Sequence, residues 1–474
     1  MATYPGYCFN HIFEPSLNII AMKQYWLPAI ISFLFFACQE SKPGSTSTNG
    51  LLLRNATIID GNGGQPVKAD LLIKGDTIAD IGPALKDEGA EATDLSGKTI
   101  LPALISTHVH VGTLQGNSVA PEHYTRENIL AQLKKYETYG IENIQVMGSD
   151  RPLIFETGLR DSSRSGLLAG ARLRSAGFGF GVPNGAPPSG ASMDKVFRPS
   201  SASQVKAEMD SLAALKPDMV KIWVDDFGRG MKKMDPSVYA AIINEAHNHG
   251  IRVTAHAYYL SDARKLVQAG IDIIGHSIRD SIVDDAFLKE MKEHNVAYIP
   301  TLSLDEFAFI YARQPEWLND AFFKAALEPG VYEMITSEKY REDLKKSPDY
   351  ARNMKGFENA LKNLKKIFDA GILVAMGTDS GANPLRAQGF SEHLELQLMV
   401  QAGLSPMQAL TVATRNGATL LKIGDHTGTI EKGKLADLLI IDGDPSSQIK
   451  NTRKIFAVYK AGKKVSEGTP GENK

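Results

Sequence analysis

The stretch LPALISTHVHVG, residues 101–112, decides how the rest of the chain is interpreted, because an apolar run ends there in His108 and His110. Side chains two residues apart along a strand point to the same face, so both imidazoles would leave the strand end together. Neutral imidazoles are the commonest metal ligands in proteins. A His-x-His pair alone can equally be two ordinary histidines, so other strand ends must show whether further ligands converge on it.

The overall composition is that of an ordinary globular protein. The 474 residues are 43% hydrophobic and 22% charged, and the formal net charge is −2. This length fits one large domain plus a smaller one. No basic excess or long basic run is present, so no nucleic-acid partner is expected. The two cysteines, Cys8 and Cys38, both precede the globular region, which is therefore predicted to contain no disulfide.

The N-terminal segment is predicted to be a targeting signal. Lys23 precedes the apolar stretch YWLPAIISFLFFAC, residues 25–38, which is shorter than the roughly 20 apolar residues that a spanning helix needs. A positive charge, a short apolar core and a small residue at the cleavage point are typical of a secretory signal peptide. The sequence LFFAC, ending at Cys38, resembles a bacterial lipoprotein box.

We therefore expect residues 1–38 to be a leader, a lipid anchor at Cys38, and export to the cell envelope. Residues 39–50, QESKPGSTSTNG, are predicted to be a flexible tether. Met22 is a plausible true start, in which case residues 1–21 are not translated. The alternative is an uncleaved hydrophobic N-terminus of a membrane-attached protein.

Both ends of the globular region have the pattern of short strands. Residues 51–102 include LLLRNATIID and ADLLIKGDTIADIG, separated by Gly-rich and Asp-rich turns. Residues 426–466 carry the same signature in GTIEKGKLADLLIIDGDP and KIFAVYKAGKKV. These two segments predict a small β-sandwich domain assembled from both ends of the chain.

The intervening residues 103–425 alternate short apolar runs with helical stretches, which predicts a (β/α)₈ TIM-type barrel. The strand candidates are ALISTH, ENIQVMG, ARLRSAG, DMVKIWV, IRVTAHA, IDIIGH, VAYIPT and ILVAMGTD. The helical candidates between them include 125–139, 203–215, 236–249, 261–269 and 284–294.

A long helical insertion, residues 303–371, separates the last two strand candidates. Insertions after barrel strands lie on the catalytic face, so this segment is a candidate lid or substrate wall. A helical packing or dimerisation element is the equally weighted alternative, and a homo-oligomer remains open. The segment is rich in aromatic residues: Phe307, Phe309, Tyr311, Trp317, Phe322, Phe323 and Tyr332.

Metal-competent side chains recur where the predicted strands end, and Lys221 lies within the fourth strand, DMVKIWV, an apolar run that would not normally admit a lysine. Each has an ordinary explanation by itself, such as a helix cap or a lysine that reaches solvent. Together they stand in strand-end register, and barrel active sites are built from C-terminal strand ends. The residues are His108, His110, Lys221, His256, His276 and Asp379.

With these motifs in place, the sequence resembles the amidohydrolase superfamily, specifically its imidazolonepropionase-like and prolidase-like metal-dependent hydrolases. The resemblance is carried by LPALISTHVH, VKIW, TAHA, GHS, GTDSG and GTIEKGKLADLLIIDGDP, and it spans roughly residues 51–465. Ala103 and Ser106 depart from the usual LPGLIDxHxH pattern, in which glycine and aspartate stand at these positions. GHS also replaces the EHG that relatives often show.

The resemblance implies a site with two divalent metal ions, zinc first and manganese or iron as alternatives. His108, His110 and Asp379 would hold one ion and the other two histidines the second. Lys221 would bridge both after reacting with carbon dioxide to form a carbamate; a buried lysine has a depressed pKa, so its neutral amine can react.

The implied reaction is hydrolysis of a C–N amide bond in a small molecule, namely a dipeptide, an N-acyl amino acid or a cyclic amide. A hydroxide between the metals would attack, and Asp379 would pass the proton to the leaving nitrogen. Tyr259 is a candidate for binding a substrate carboxylate, as a tyrosine near this point does in prolidase-like relatives. Tyr258 and Arg279 are further candidates for substrate binding.

Three other functions remain open on the same residues. A single-metal deaminase or imidazolone-type hydrolase is one, although single-metal members generally lack the lysine found at Lys221. Lactone or organophosphate hydrolysis is another. A non-catalytic envelope binding protein is the third, and its expected signature is missing ligands, whereas every ligand position here is filled.

Overall fold

The computed structural model describes residues 50–86, 89–188, 190, 192–227 and 229–472. They belong to one compact unit, Ser47–Lys474. The predicted leader, the lipid-attachment site Cys38 and nearly all of the predicted tether lie outside the described residues. Within the described ranges, the helices are all too short or too polar to cross a membrane.

Strands dominate the two ends of the described chain and also occur singly between the helices. In chain order they are β1 (Leu51–Ile58), β2 (Val67–Lys74), β3 (Thr77–Gly82), β4 (Glu91–Asp94), β5 (Lys98–Pro102), β6 (Leu104–Val109), β7 (Leu114–Gln115), β8 (Ser118–Val119), β9 (Ile141–Val146), β10 (Arg172–Ser175), β11 (Val220–Trp223), β12 (Val253–His256), β13 (Ile273–Gly275), β14 (Ala297–Ile299), β15 (Leu438–Asp442), β16 (Ile455–Lys460) and β17 (Lys463–Glu467).

Helices fill the middle of the chain, and short 3₁₀ turns lie between some of them. The α-helices are α1 (Arg126–Thr138), α2 (Leu153–Glu156), α3 (Leu159–Arg164), α4 (Ala202–Ala213), α5 (Pro236–Asn248), α6 (Leu260–Gln268), α7 (Asp285–Glu293), α8 (Leu302–Phe307), α9 (Ala321–Ala326), α10 (Val331–Thr336), α11 (Glu338–Lys346), α12 (Tyr350–Asp369), α13 (Phe390–Gln401), α14 (Pro406–Thr411) and α15 (Gly417–Leu420). A π-helical turn, Val412–Asn416, joins the last two.

The two ends of the chain share one eight-stranded sheet, in the order β17-β16-β15-β5-β1-β2-β3 with β4 beside β1. The junction is the antiparallel pair β5–β15, in which Ile100 lies opposite Ile440. One face of the sheet is an apolar core that includes the fully buried Leu53, Leu71 and Leu438. A β domain built from both chain ends is therefore observed, as the sequence predicts.

The barrel consists of two parallel sheets, β10-β9-β6 and β11-β12-β13-β14. Isolated parallel bridges complete the circle at Phe180–Ile222, Tyr298–Val374 and Val109–Ser380. The predicted eighth strand, residues 372–379, is thus held by single bridges and is not a regular strand. At its end, Thr378 and Asp379 both donate their backbone N–H to the carbonyl of His108, a pairing that departs from a regular strand ladder.

The predicted barrel helices are present, with ends within two residues of the predicted ones. They begin where a side chain satisfies the free backbone N–H groups of the first turn. Asp235 accepts from Ser237 N ahead of α5, and Pro236 opens that helix. Asp284 caps α7 in the same way through Phe287 N.

The long insertion before the eighth strand is helical and comprises α8 to α12. Its aromatic side chains are mostly buried and pack into the interior against α13, with ring centroids 5.0 Å apart for Trp317–Phe390 and 4.7 Å for Phe323–Phe390. These aromatic residues therefore stabilise the packing of the insertion. Helical packing was the alternative to the predicted role as a substrate wall. The insertion also reaches the site, because its Asp305 pairs with Arg279.

Candidate metal centre

Three buried ligands from the two ends of the barrel sequence meet at one point. Asp379 Oδ1 lies 2.9 Å from His110 Nε2 and 3.3 Å from His108 Nε2. Ligand atoms of these three residues all lie within 4.8 Å of one another. Two imidazoles and a carboxylate are a donor set that suits zinc and similar divalent ions.

The local backbone explains why these side chains converge. Asp379 has a φ of 58°, an uncommon conformation for a residue other than glycine. Close approach of the chain on both sides needs small residues. A Cβ on Gly377 would lie 2.6 Å from His108 Cβ, and one on Gly381 would lie 2.1 Å from the His110 carbonyl oxygen. The GTDSG motif therefore provides both the ligand and the space around it.

The other predicted ligands line the neighbouring strands. Lys221 on β11 is fully buried, and its Nζ lies 3.5 Å from His276 Nε2. The ring centroids of His256 and His276 are 4.2 Å apart, and those of His108 and His276 are 4.4 Å apart. All six residues predicted from the sequence thus lie in one continuous cluster, five of them at or just beyond C-terminal strand ends and Lys221 within β11.

Outer hydrogen bonds orient two of the imidazoles. His110 Nδ1 lies 2.6 Å from Ser149 Oγ, and His276 Nδ1 lies 3.0 Å from Thr301 Oγ1. Because Nδ1 of each ring is hydrogen-bonded outside the cluster, Nε2 of each ring points into the cluster. This is the arrangement by which outer-shell partners fix the tautomer of metal-bound histidines.

Several buried nitrogen atoms in the cluster have no hydrogen-bond partner among the described residues. They are both ring nitrogens of His108 and Nε2 of His256. Leaving a buried polar atom unpaired costs free energy, and native proteins rarely do so without a reason. A divalent metal ion fits one ring nitrogen of each histidine, because a neutral imidazole coordinates through the lone pair of one nitrogen while the other carries a hydrogen.

Burial governs the protonation states of the cluster. Burial lowers the pKa of Lys221 to about 7, against the raising effect of Asp379 and Asp225. Burial and then the Lys221 charge lower the pKa of His108 to about 3. The pKa values of His256 and His276 fall well below their usual value, again chiefly through burial. These histidines are therefore neutral at physiological pH, as metal ligands must be.

The carboxylate of Asp379 is the permanent negative charge of the cluster. Burial opposes its ionisation, but the guanidinium of Arg386 and the imidazole of His110 outweigh that effect and hold the pKa well below its usual range. Arg386 forms an ion pair with Oδ2, on the side of the carboxylate away from the histidines.

Two residues of this site were not predicted from the sequence. Arg386 stands in a loop after the eighth strand, and nothing in the pattern PLRAQG distinguishes it from a solvated arginine. Asp225 is fully buried, and its Oδ1 lies 3.6 Å from His256 Nε2. Burial raises its pKa to about 6. The run VDDFG directly after strand β11 was an available signal for it.

The three predicted substrate residues lie side by side but have different polar partners. Arg279 is 9% exposed, forms an ion pair with Asp305 at 2.5 Å, and lies 5.4 Å from the ring centroid of Tyr258. The ring of Tyr259 instead lies 3.8 Å from Lys233 Nζ. Burial and a hydrogen bond to Asp226 raise the pKa of Tyr259. The rings of Tyr258 and Tyr259 are also in contact, with centroids 4.9 Å apart, so the three residues form one continuous group whose polar partners differ.

Known proteins resemble this chain over very different lengths. An imidazolonepropionase of Thermoanaerobacter pseudethanolicus is 38% identical over 85 residues, which are 17% of this chain and 19% of that protein. The chain therefore matches about a fifth of the length of that relative. A 5'-deoxyadenosine deaminase of Methanobrevibacter smithii is 22% identical over 432 residues, covering 85% of this chain and 86% of the relative.

The fold itself has close counterparts among solved structures. A crystal structure of a Xaa-Pro dipeptidase with bound methionine in the active site superimposes with a TM-score of 0.69 at 24% identity, covering 88% of this chain and 100% of the other. This likeness confirms the predicted barrel with its β-rich companion. The amidohydrolase family model matches residues 99–465, which contain the whole cluster. The chain belongs to the amidohydrolase family.

Proposed function

We propose that this protein is a metal-dependent hydrolase of carbon–nitrogen amide bonds, with two divalent ions held by the six clustered side chains. One observation carries the proposal: His276 connects the two predicted sets of ligands, one around His108 and the other around His256. Its ring centroid lies 4.4 Å from that of His108 and 4.2 Å from that of His256. Membership of the amidohydrolase family supports the same reaction class. Zinc is the proposed metal, and manganese or iron are the alternatives.

Bound divalent ions would supply Lewis acidity, which polarises the scissile carbonyl and lowers the pKa of water from ~15.7 toward ~7. The protein supplies the ligand geometry, the exclusion of bulk water and the proton route. In the proposed reaction, Asp379 accepts the proton of the attacking water and passes it to the leaving nitrogen. Arg386 has to leave Oδ2 for this, because an ion-paired carboxylate is a weak base.

Lys221 is proposed to react with carbon dioxide. Its neutral amine would form the new N–C bond, one C=O electron pair would move to oxygen, and the amine proton would leave to solvent. The resulting carbamate is an anion with two oxygen ligands. Full burial of Lys221 and the 3.5 Å contact between its Nζ and His276 Nε2 support a bridging position.

The proposed substrate is a small amide with a carboxylate: a dipeptide or an N-acyl amino acid, with a cyclic amide as the third class. The pair Tyr258–Arg279 supports this, because a buried guanidinium beside the cluster favours an anionic group. Arg279 Nη2 is buried and has no partner among the described residues. Tyr259 is the weaker candidate, since its hydroxyl is engaged by Asp226.

A single-metal deaminase is the second candidate function. The likeness to a deaminase over 85% of this chain favours it. The two proposals differ in metal content: the hydrolase requires two ions per chain and a modified Lys221, whereas the deaminase requires one ion and leaves this lysine unmodified.

The test is a substrate screen on residues 51–474 loaded with zinc or with manganese. Xaa-Pro and other dipeptides, N-acyl amino acids and cyclic amides are assayed beside adenosine-type nucleosides, with the Asp379→Asn variant as the blank. Metal content is measured on the same samples. Amide cleavage that the blank lacks, with two ions per chain, supports the proposal. Nucleoside deamination with one ion per chain would replace it, and a two-metal protein silent on amides would point to lactones or phosphotriesters.

We also propose that the protein is exported and anchored to the cell envelope through a lipid on Cys38. The predicted leader and lipoprotein box support this. Metabolic labelling with a palmitate analogue tests it, with Cys38→Ala as the control. Label in the wild type only, together with membrane fractionation, is the expected result; an unlabelled wild type would contradict it.

A further inference from the structure

Behind the metal cluster, the carboxylate of Glu392 on α13 is fully buried and accepts four hydrogen bonds. Its Oε1 accepts from the hydroxyls of Ser106, Thr378 and Ser380 at 3.1, 2.6 and 2.9 Å. Its Oε2 accepts from Gly389 N at 2.9 Å. No lysine or arginine of the described ranges forms an ion pair with it. Burial raises the pKa of this carboxyl group, and the hydrogen bonds from Thr378, Ser380 and Ser106 act against that effect in favour of the anion.

The three hydroxyls belong to the two segments that carry the first half of the metal cluster. Ser106 lies on β6, two residues before His108, and the register of β6 against β9 shifts between Ser106 and Val109. Thr378 and Ser380 flank Asp379 on either side. Tyr136 on α1 extends the network through a 2.7 Å hydrogen bond between its hydroxyl and Ser380 Oγ. One carboxylate thus joins the histidine strand to the aspartate strand.

Asp379 needs such support. Its backbone has a φ of 58°, and the eighth strand is irregular where it reaches the site. A residue in this conformation persists when its surroundings hold it from several sides. The His108 carbonyl fixes the backbone of Asp379 at 2.8 Å, and the Glu392 network fixes the hydroxyl side chains before and after it.

We infer that Glu392 is a positioning residue, which aligns Asp379 with His108 and His110 so that the three can bind metal. The inference rests on the proposed metal-dependent function. It also gives a role to Ser106, which stands where the LPGLIDxHxH pattern has aspartate. In this chain the carboxylate near that position is that of Glu392 on α13, and the Ser106 hydroxyl donates a hydrogen bond to it.

Zinc affinity of the whole chain, measured by competition with a chromophoric chelator, tests the inference. Glu392→Gln keeps the size of the side chain but turns an NH₂ group toward one of the four donors. We expect zinc to bind at least ~10-fold more weakly, in the range typical for outer-shell changes. The absorption spectrum of the cobalt-loaded variant should change as well, which lost stability alone would not cause.

His393→Gln is the matched control. This neighbour on α13 is equally buried and makes two hydrogen bonds, to Thr452 Oγ1 at 3.0 Å and to the Tyr139 carbonyl at 2.9 Å, away from the cluster. It should lower the unfolding midpoint and leave zinc affinity and the cobalt spectrum unchanged. Equal weakening of zinc binding in both variants would overturn the inference.

The double variant Ser106→Asp/Glu392→Gln returns a carboxylate to the cluster from the strand side. We expect it to recover zinc affinity relative to Glu392→Gln, and a double variant no better than the single one would overturn the inference. Wild-type zinc affinity in Glu392→Gln would overturn it too, with the proposed function intact. A wild type that binds no zinc would refute both.

Discussion

The two halves of the candidate metal centre differ in the source of their negative charge. The aspartate half, His108, His110 and Asp379, contains a carboxylate that already lies 2.9 Å from one imidazole and 3.3 Å from the other. The lysine half, Lys221, His256 and His276, has no carboxylate of its own. The carboxylate of Asp225 lies beside it, 3.6 Å from His256 Nε2. The aspartate half can therefore bind a cation as it is folded, while the proposed function gives the lysine half its anion by modification of Lys221.

Removing the carboxylate of Asp379 should have the largest effect. Asp379→Asn keeps the shape of the side chain and an oxygen ligand but cannot carry the proton. General acid–base catalysis typically contributes 10²–10⁴-fold, so we expect kcat to fall by about that factor. Steady-state kinetics with metal analysis on the same samples measures this. Near-normal turnover would refute the proton-transfer role, and loss of metal would assign Asp379 to binding alone.

Removing the amine of Lys221 should weaken metal binding by the lysine half. Lys221→Ala removes the proposed carbamate, and we expect the metal content to fall from two ions per chain to about one, with partial rescue of activity by a short-chain carboxylate. Carbon-13 NMR in labelled bicarbonate should show a carbamate signal in the wild type only. A variant that keeps two ions and full activity would refute the bridge.

Lys460→Ala provides the matched control for this experiment. Lys460 is also a buried lysine, 6% exposed, but its Nζ donates to backbone carbonyls such as that of Leu168 at 2.9 Å. Its removal should cost stability and leave metal content unchanged. If both lysine variants lost one ion, general destabilisation would explain the loss better than a missing ligand.

The same contrast shows what the sequence could predict. Ligands at strand ends were predictable, because a strand repeats every two residues and barrel sites use C-terminal ends; His108 and His276 follow this rule. Lys221 lies within β11, and its signal was a lysine inside an apolar run. Arg386 and Glu392 were not, because their roles depend on contacts between segments far apart in the chain. Glu392 lies 286 positions from Ser106. The helical periodicity of a sequence predicts which side chains share one face of a helix. It does not show which hydroxyl groups of the strands contact that face.

The buried histidines of the lysine half should make the metal-free protein sensitive to acid. Burial, and then the Lys221 charge, hold the pKa of His256 well below its ordinary value of 6.5. The unfolded chain takes up a proton below pH 6.5 and the folded one does not, so stability falls as pH falls. We expect a loss of about 2 kcal/mol between pH 6.5 and pH 5 from this residue. Urea unfolding of the chelator-treated protein at these pH values measures the loss.

His256→Asn should remove that part of the acid sensitivity and make the dependence of unfolding free energy on pH less steep by about one proton. The exposed His294→Asn provides the comparison and should leave the dependence unchanged. An unchanged dependence in His256→Asn would mean that the imidazole is protonated in the folded protein, which would argue against its role as a metal ligand.

The smallest expected effect concerns the cation that Asp379 already holds. Arg386 is paired with Oδ2, so a metal ion at the aspartate half has to compete with its positive charge. Arg386→Met removes the charge and keeps an apolar stem of similar length. We therefore expect zinc to bind up to ~10-fold more tightly, about 1.4 kcal/mol. If the guanidinium released from Asp379 binds the substrate carboxylate, turnover of carboxylate-bearing substrates should fall in the same variant. Competition titrations and kinetics on Arg386→Met and Arg386→Lys separate the two effects, because lysine keeps the charge. Weaker zinc binding in Arg386→Met would show instead that Arg386 supports the ligand geometry, and the aspartate half would then depend on its surroundings as much as the lysine half does.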